Sequence, residues 1–251
     1  MRKELIATLS ILGSLAASGA AAAQTCATPP SCETLGFTKS ETDCDGLEAL
    51  KCPFDQSKLY CPQGGGNMSA AAPGAILYSD GTISDSVIAS KTPVGIVAYV
   101  NGSTGFAVAL TESNQTWGGY GYNVSCLGDM DSGAASADMN GRVNTQCLVS
   151  DSQTHPAANY CNTFSAVSSG KGSSGWYLPA AGELKAMSYS YGAINLGLQK
   201  LSKTQISSSY YWSSSESNDY DSYAWVVRPS DGTMYGGGKK ASGRVRCVLA
   251  L

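Results

Sequence analysis

One histidine among 251 residues, and charged side chains on only 14% of them, set the first limits on this chain. His155 precedes Pro156 at an expected helix start. That placement predicts a capping or solvent-facing side chain, and no Gly-x-Ser-x-Gly elbow stands elsewhere to hold a nucleophile. With 16 basic residues against 19 acidic ones there is no basic stripe for nucleic acid, which is excluded as a partner. Close Cys-x₂₋₄-Cys spacing is absent too, so the cysteines do not read as a zinc site. Ser169-Gly170-Lys171-Gly172-Ser173 has the look of a phosphate loop, but Ser165 holds the place of the first glycine and Gly172 follows the lysine. Asp129, Asp131, Asp138 and Asn140 offer oxygens of the kind calcium takes, yet Asn140 stands where an EF-hand places glutamate. No catalytic residue, metal ligand or cofactor is assigned.

What is present begins with an export signal. Arg2-Lys3 precede an apolar run from Leu5 to Ala17 and a small-residue tract, Ala20 to Ala23, the pattern of a signal peptide over 1–23 cut before Gln24. Thr25 before Cys26 is a poor fit to a lipid-anchor signal, and no later run is long enough to insert in a membrane. The expected location is secreted, periplasmic or cell-surface. In such a compartment nine cysteines read first as disulfides. Cys26, Cys32, Cys44, Cys52 and Cys61 crowd a module over 24–62 that is too short to bury a core unaided. Their odd number leaves one thiol free, pairs it with another chain, or sends a bridge to the second set: Cys126, Cys147, Cys161 and Cys247. A Gly-, Ala- and Pro-rich linker over 63–74 separates this module from a domain over 75–251.

In that domain Ala75 to Tyr78 and Thr82-Ile83, around Ser79-Asp80-Gly81, predict a hairpin, and Val94 to Val100 and Phe106 to Leu110 predict two more strands turned at Asn101-Gly102. Helices are expected from Pro156 to about Val167, from Pro179 through Leu184 and Met187, and across Ile194, Leu198 and Leu201. The alternation of Val245, Cys247 and Leu249 with Arg244, Arg246 and Val248 predicts a closing strand. Strands at both ends enclosing helices give an α+β domain.

The last stretch, Ser207 to Leu251, weaves two kinds of sequence together. Tyr211 to Glu216, Ala224-Trp225-Val226 and Arg244 to Leu249 read as framework, with Trp212 and Trp225 in or beside the core and Glu216 and Arg246 as a candidate buried pair. Between them, Ser217 to Tyr223 and Thr233 to Gly238 are built almost wholly from Ser, Tyr, Asp, Asn and Gly. Antibody loops favour the same set, because tyrosine gives a large contact with few torsions to freeze while Ser, Gly and Asn adapt their hydrogen bonds. The candidate ligand-binding residues within 207–246 are Tyr210, Ser217, Asn218, Asp219, Tyr220, Asp221, Tyr223, Asp231, Tyr235, Lys240 and Ser242, placed on one rigid face. Their partner is a protein or glycan of unknown identity.

Trp176-Tyr177-Leu178-Pro179-Ala180-Ala181-Gly182-Glu183-Leu184, Tyr211 to Glu216, Ala224-Trp225 and Val245 to Val248 occur in an order that resembles the C-terminal domain of bacterial collagen-like adhesins, which has a C-type-lectin-like fold. Leu77 to Thr82 and Thr92 to Val97 fit the same family. Within it, the chain looks most like target proteins of diversity-generating retroelements, whose adenine-directed mutagenesis turns Asn codons into Ser, Tyr, Asp or Gly. The resemblance implies a non-enzymatic binding domain and the disulfides Cys161–Cys247 and Cys126–Cys147. Calcium-dependent sugar binding is not expected, since the Glu-Pro-Asn and Trp-Asn-Asp signatures of such lectins are missing. Two alternatives remain: an adhesin or matrix protein with a fixed polysaccharide ligand, and an enzyme related to the sulfatase-activating members of the broad fold. For the latter no redox cysteine pair can be matched. Cys52 to Asp55 with Lys58 to Cys61 resembles a cysteine-rich repeat placed before surface domains in gut-bacterial proteins.

Overall fold

A computed structural model of the chain describes three strands within 37–62 and residues 72–251 apart from residue 103. The expected signal peptide, most of the linker, and Cys26, Cys32 and Cys44 lie outside the described residues, as do the side chains of Cys52 and Cys61 and with them any pairing of this set. The chain divides into two units, Met1–Gln63 and Gly64–Leu251. In the first, strands β1 (Phe37–Lys39), β2 (Leu50–Cys52) and β3 (Asp55–Pro62) form an antiparallel sheet in the order β1-β3-β2.

The second unit is α+β. Its six-stranded antiparallel sheet runs β5-β4-β6-β7-β14-β9, from β4 (Ile76–Tyr78), β5 (Ile83–Ser84), β6 (Pro93–Asn101), β7 (Thr104–Ala109), β9 (Trp176–Tyr177) and β14 (Val248–Ala250). A five-stranded sheet runs β12-β11-β10-β13-β8, from β8 (Ser113–Thr116), β10 (Tyr211–Glu216), β11 (Tyr223–Arg228), β12 (Thr233–Gly238) and β13 (Ser242–Val245). Only the β10–β13 pair in it is parallel. The helices are α1 (Ser132–Ala137), α2 (Gly141–Ser150), α3 (Pro156–Thr163), α4 (Ala181–Ala186), followed by a 3-10 turn over Met187–Ser190, and α5 (Tyr191–Lys200).

Both faces of β4, β6, β7 and β14 are covered, which is why these strands read as unbroken apolar runs. Along β7, Ala107 and Ala109 join one buried cluster with Leu148, Ala158, Trp176 and Trp212, while Phe106 and Val108 join the other with Leu184, Ile194, Leu198 and Trp225. The β4–β5 and β6–β7 hairpins fall where the turn signals put them; Gly81 takes the left-handed backbone (φ 84°) that its turn needs. The disulfides Cys126–Cys147 and Cys161–Cys247 are those the family resemblance implies.

Several expectations are corrected. α3 ends at Thr163, four residues short of Val167, and Pro179 stands two residues before α4 instead of opening it. The closing strand is two strands. Arg246 is buried, its Nε donating to the Ala109 carbonyl (3.0 Å) and its guanidinium to the Thr204 carbonyl (2.9 Å), and there the chain leaves the five-stranded sheet for the six-stranded one. The buried pair is Glu216 with Lys239, while Arg246 faces Glu112 at 3.4 Å. His155 stands at the N-cap position of α3, but its side chain neither makes a capping bond nor faces solvent: it is buried edge-on against Trp117, with Nε2 3.0 Å from the Asp151 carboxylate. The phosphate-like loop is a strut, the Lys171 N–H donating to the Ser79 carbonyl (2.7 Å).

Glu183 of the Leu178–Leu184 motif gives a pH-dependent stability. Its carboxylate accepts the Ala180 N–H (2.8 Å), closing the start of α4, and the Tyr177 hydroxyl (3.1 Å). Burial pushes its pKa from the ordinary 4.5 up to about 7 against those bonds. The fold therefore holds a proton that the unfolded chain has released. The contribution of this group to stability is full below about pH 4.5 and is lost as pH rises to about 7, by on the order of 3 kcal/mol, then levels off. Glu183→Gln is expected to remove that part of the slope in urea unfolding midpoints taken from pH 4 to 8. Parallel curves for the two proteins would contradict it.

Candidate functional site

The site is built on the hairpin of β11 and β12 and on the turns that flank it. Trp212, Val226 and Ala224 point to one side of the five-stranded sheet, and Tyr211, Trp225 and Val227 to the other, so the ladder is anchored through both faces. In register, Trp225 faces Gly236, Val226 faces Tyr235 and Tyr223 faces Gly238. Residues opposite each other in an antiparallel pair share a face. Tyr223 therefore lies on the Trp225 side, its ring over Gly236, where an added Cβ would stand 3.4 Å from it. Tyr235 lies on the opposite side.

This divides the tyrosines expected on one face into two pairs. Tyr220 and Tyr223 meet edge to face at 5.3 Å on one side, and Tyr210 and Tyr235 at 4.5 Å on the other, where the Arg228 guanidinium sits 5.3 Å from the Tyr210 ring. Tyr220 (65% exposed) and Tyr235 (48%) leave about half or more of their surface open to solvent. Thr233 to Gly238, read from sequence as a loop, is an edge strand.

Below the first pair lies a charge with no access to water. Lys239 and Glu216 are both fully buried and form an ion pair. The ammonium also donates to the carbonyls of Tyr122 and Asp221, each at 2.6 Å, and lies 4.8 Å from the centre of the Trp117 ring. The other Glu216 oxygen accepts the Val124 N–H (2.8 Å). Burial raises the Glu216 carboxyl above its usual range, opposed by the Lys239 bond. One lysine thus draws together the turn over 217–222 and the loop over 118–124. In that loop Gly118 (φ 90°) passes so close to Pro156, 2.8 Å from where a Cβ would sit, that no other residue fits.

Among the remaining candidates, Asn218, Asp219 and Asp221 are exposed on the 217–222 turn, whose path is fixed by the Asn218 N–H donating to the Met130 carbonyl (3.1 Å). Lys240 is exposed, with its ammonium 3.8 Å from the centre of the Tyr120 ring. Ser242 is exposed at the start of β13, opposite Thr116. Ser217 is corrected: it is buried, and its hydroxyl accepts the Asp219 N–H (3.3 Å) within the turn. Asp231 closes the tip of the hairpin, accepting from the Arg228 side chain and the Thr233 N–H (each 3.0 Å), and the Arg228 bond holds its carboxyl well below the usual range.

Sequence reasoning passed over Tyr120 and Tyr122, 49% and 57% exposed. The available signal was the run Gly118-Gly119-Tyr120-Gly121-Tyr122, of the same tyrosine and glycine composition as the C-terminal turns. Asp129, Asp131 and Asp138, considered above for calcium, turn to separate partners: Asp129 to Asn123, Asp131 to the N-cap of α1, and Asp138 to Asn144 and Ser215.

The class so defined is a disulfide-tied α+β domain that carries exposed tyrosines on turns and on an edge strand. The family model of the Lcl C-terminal domain matches residues 122–249, and the chain belongs to this family, the C-type-lectin-like one that its motifs resemble. Among solved structures it is similar to a fimbrial protein from Bacteroides ovatus ATCC 8483, with 19% identity and a TM-score of 0.57 over 72% of this chain. The match covers 49% of that protein, and at this identity it speaks for the fold alone. No curated protein matches the sequence.

Proposed function

We propose that this is an exported, surface-displayed protein whose C-type-lectin-like domain binds a ligand without catalysis, through residues diversified on the 217–222 turn, β12 and the Lys240 turn. The observation that carries this reading is the placement of exposed Tyr and Asp positions on a hairpin and its turns, whose framework side chains are buried on both faces. Exposed aromatics on rigid strands lose little entropy on binding and are the usual hot spots. All four cysteines of this unit are joined, with Cys161 and Cys247 in the core, which weighs against the sulfatase-activating alternative. Among the described residues no helix is long and apolar enough to cross a membrane.

Membership of the Lcl C-terminal domain family and likeness to a fimbrial protein also support the second reading, an adhesin with a fixed polysaccharide ligand. Two tests separate the readings. Diversification requires, beside the coding segment for Ser207 to Leu251, a near-copy that differs mainly at adenines and a reverse-transcriptase gene; if both are missing the idea is lost while a binding domain stands. The fixed-ligand reading predicts glycan-array binding that falls roughly tenfold or more when Tyr220, Tyr223 and Tyr235 are changed together to Ala. Unchanged glycan binding would remove the proposed site.

A further inference from the structure

β12 is the outer strand of its sheet, and the hydrogen-bond pattern shows which of its backbone groups are free. The Lys239 N–H donates to the Ser222 carbonyl (2.8 Å), one step beyond the Tyr223–Gly238 pair. In an antiparallel ladder bonded pairs alternate. Gly237, Tyr235 and Thr233 therefore turn their N–H and C=O groups toward β11, while Gly238, Gly236 and Met234 turn theirs outward. The Gly238 carbonyl is taken by the Ala241 N–H (2.8 Å). Among the described residues no hydrogen bond from another strand reaches the outward groups of Met234 and Gly236 or the Gly238 N–H.

The other outer strands of this unit are blunted. β5 and β9 are two residues long, and β8 is four residues long with α3 packed beside it. β12 has six residues in unbroken register with β11, without a bulge, a proline or a charge. Those are the devices by which sheet edges are normally protected. Glycine at 236 and 238 adds no side chain of its own beside the outward groups, the Tyr223 ring lies over Gly236, and the tyrosine pairs stand on the two sides of the same hairpin.

We infer that β12 takes its ligand by strand addition, and that the ligand is an extended polypeptide segment. Donors and acceptors repeating every second residue match a peptide backbone, and the alternating side chains of an added strand would pass to the Tyr220–Tyr223 side and the Tyr210–Tyr235 side in turn. This rests on the binding reading above and names its partner class. Main-chain bonds supply affinity whatever the sequence of the ligand, and the tyrosines select among sequences.

The test is to pan the full chain against a display library of random linear peptides about twice the length of β12, then to scan the enriched peptides by N-methylation. Expected is a weakening of roughly tenfold or more at every second peptide residue, with little change between, and loss of binding in Gly236→Pro, which removes one outward N–H, but not in Gly236→Ala. If no peptide is enriched, or N-methylation has no effect at any position, strand addition is overturned. Should Tyr223→Ala and Tyr235→Ala abolish binding while N-methylation has no effect, the binding surface survives and only the strand mode fails. Peptide binding indifferent to N-methylation, to Gly236→Pro and to both tyrosine changes overturns the surface as well. Self-association abolished by Gly236→Pro, with no peptide bound, assigns the edge to a second copy and overturns the proposal.

Discussion

Lys239→Met is expected to cost about 3–5 kcal/mol, because it strands the fully buried Glu216 carboxylate without its partner and frees the Tyr122 and Asp221 carbonyls. Urea unfolding of the single and double variants tests this. Lys239→Met with Glu216→Leu should recover a large part of the loss, since a buried ion pair exchanged whole for apolar groups is often neutral. The single variant should also be less impaired at pH 5 than at pH 8. Its Glu216, already raised by burial and now without the opposing lysine, can take a proton at the lower pH. A single variant within about 1 kcal/mol of the parent at pH 8 would show that the pair does not hold the turns together.

The second large effect belongs to the disulfides. Cys161 and Cys247 are 86 residues apart and join α3 to the crossing point between the two sheets, so replacing both by Ala should cost about 4–5 kcal/mol. Cys126 and Cys147 are separated by 21 residues, and their loss should cost about 3 kcal/mol. Denaturation of both alanine pairs, with the parent measured oxidised and reduced, gives the comparison. A larger loss from the short loop than from the long one would mean that the unfolded chain does not set these values.

Features governed by local chemistry were legible in the sequence. The turns at Asp80-Gly81 and Asn101-Gly102, the proline at the start of α3 and the buried indoles of Trp212 and Trp225 all fall where residue type puts them. α1 and α2 were not legible. α1 is made wholly of Ser, Ala and Gly, and α2 depends on tertiary bonds such as Thr145 receiving the Leu178 N–H (2.9 Å). The composition of the site could be read, but its geometry could not. Whether two tyrosines share a face depends on strand register, and Lys239 looked like its neighbour Lys240, although one is wholly buried and the other exposed. The partners of Glu216 and Arg246 were exchanged for the same reason: charge complementarity along a chain does not say which charges fold next to each other.

The bonds from Lys239 to the flanking turns end on main-chain oxygens of Tyr122 and Asp221 and not on their side chains. Every residue supplies that carbonyl. The clamp is therefore blind to what is written at positions 122 and 221, and mutational drift there can rewrite the chemistry of the surface while the path of the chain beneath it is inherited unchanged.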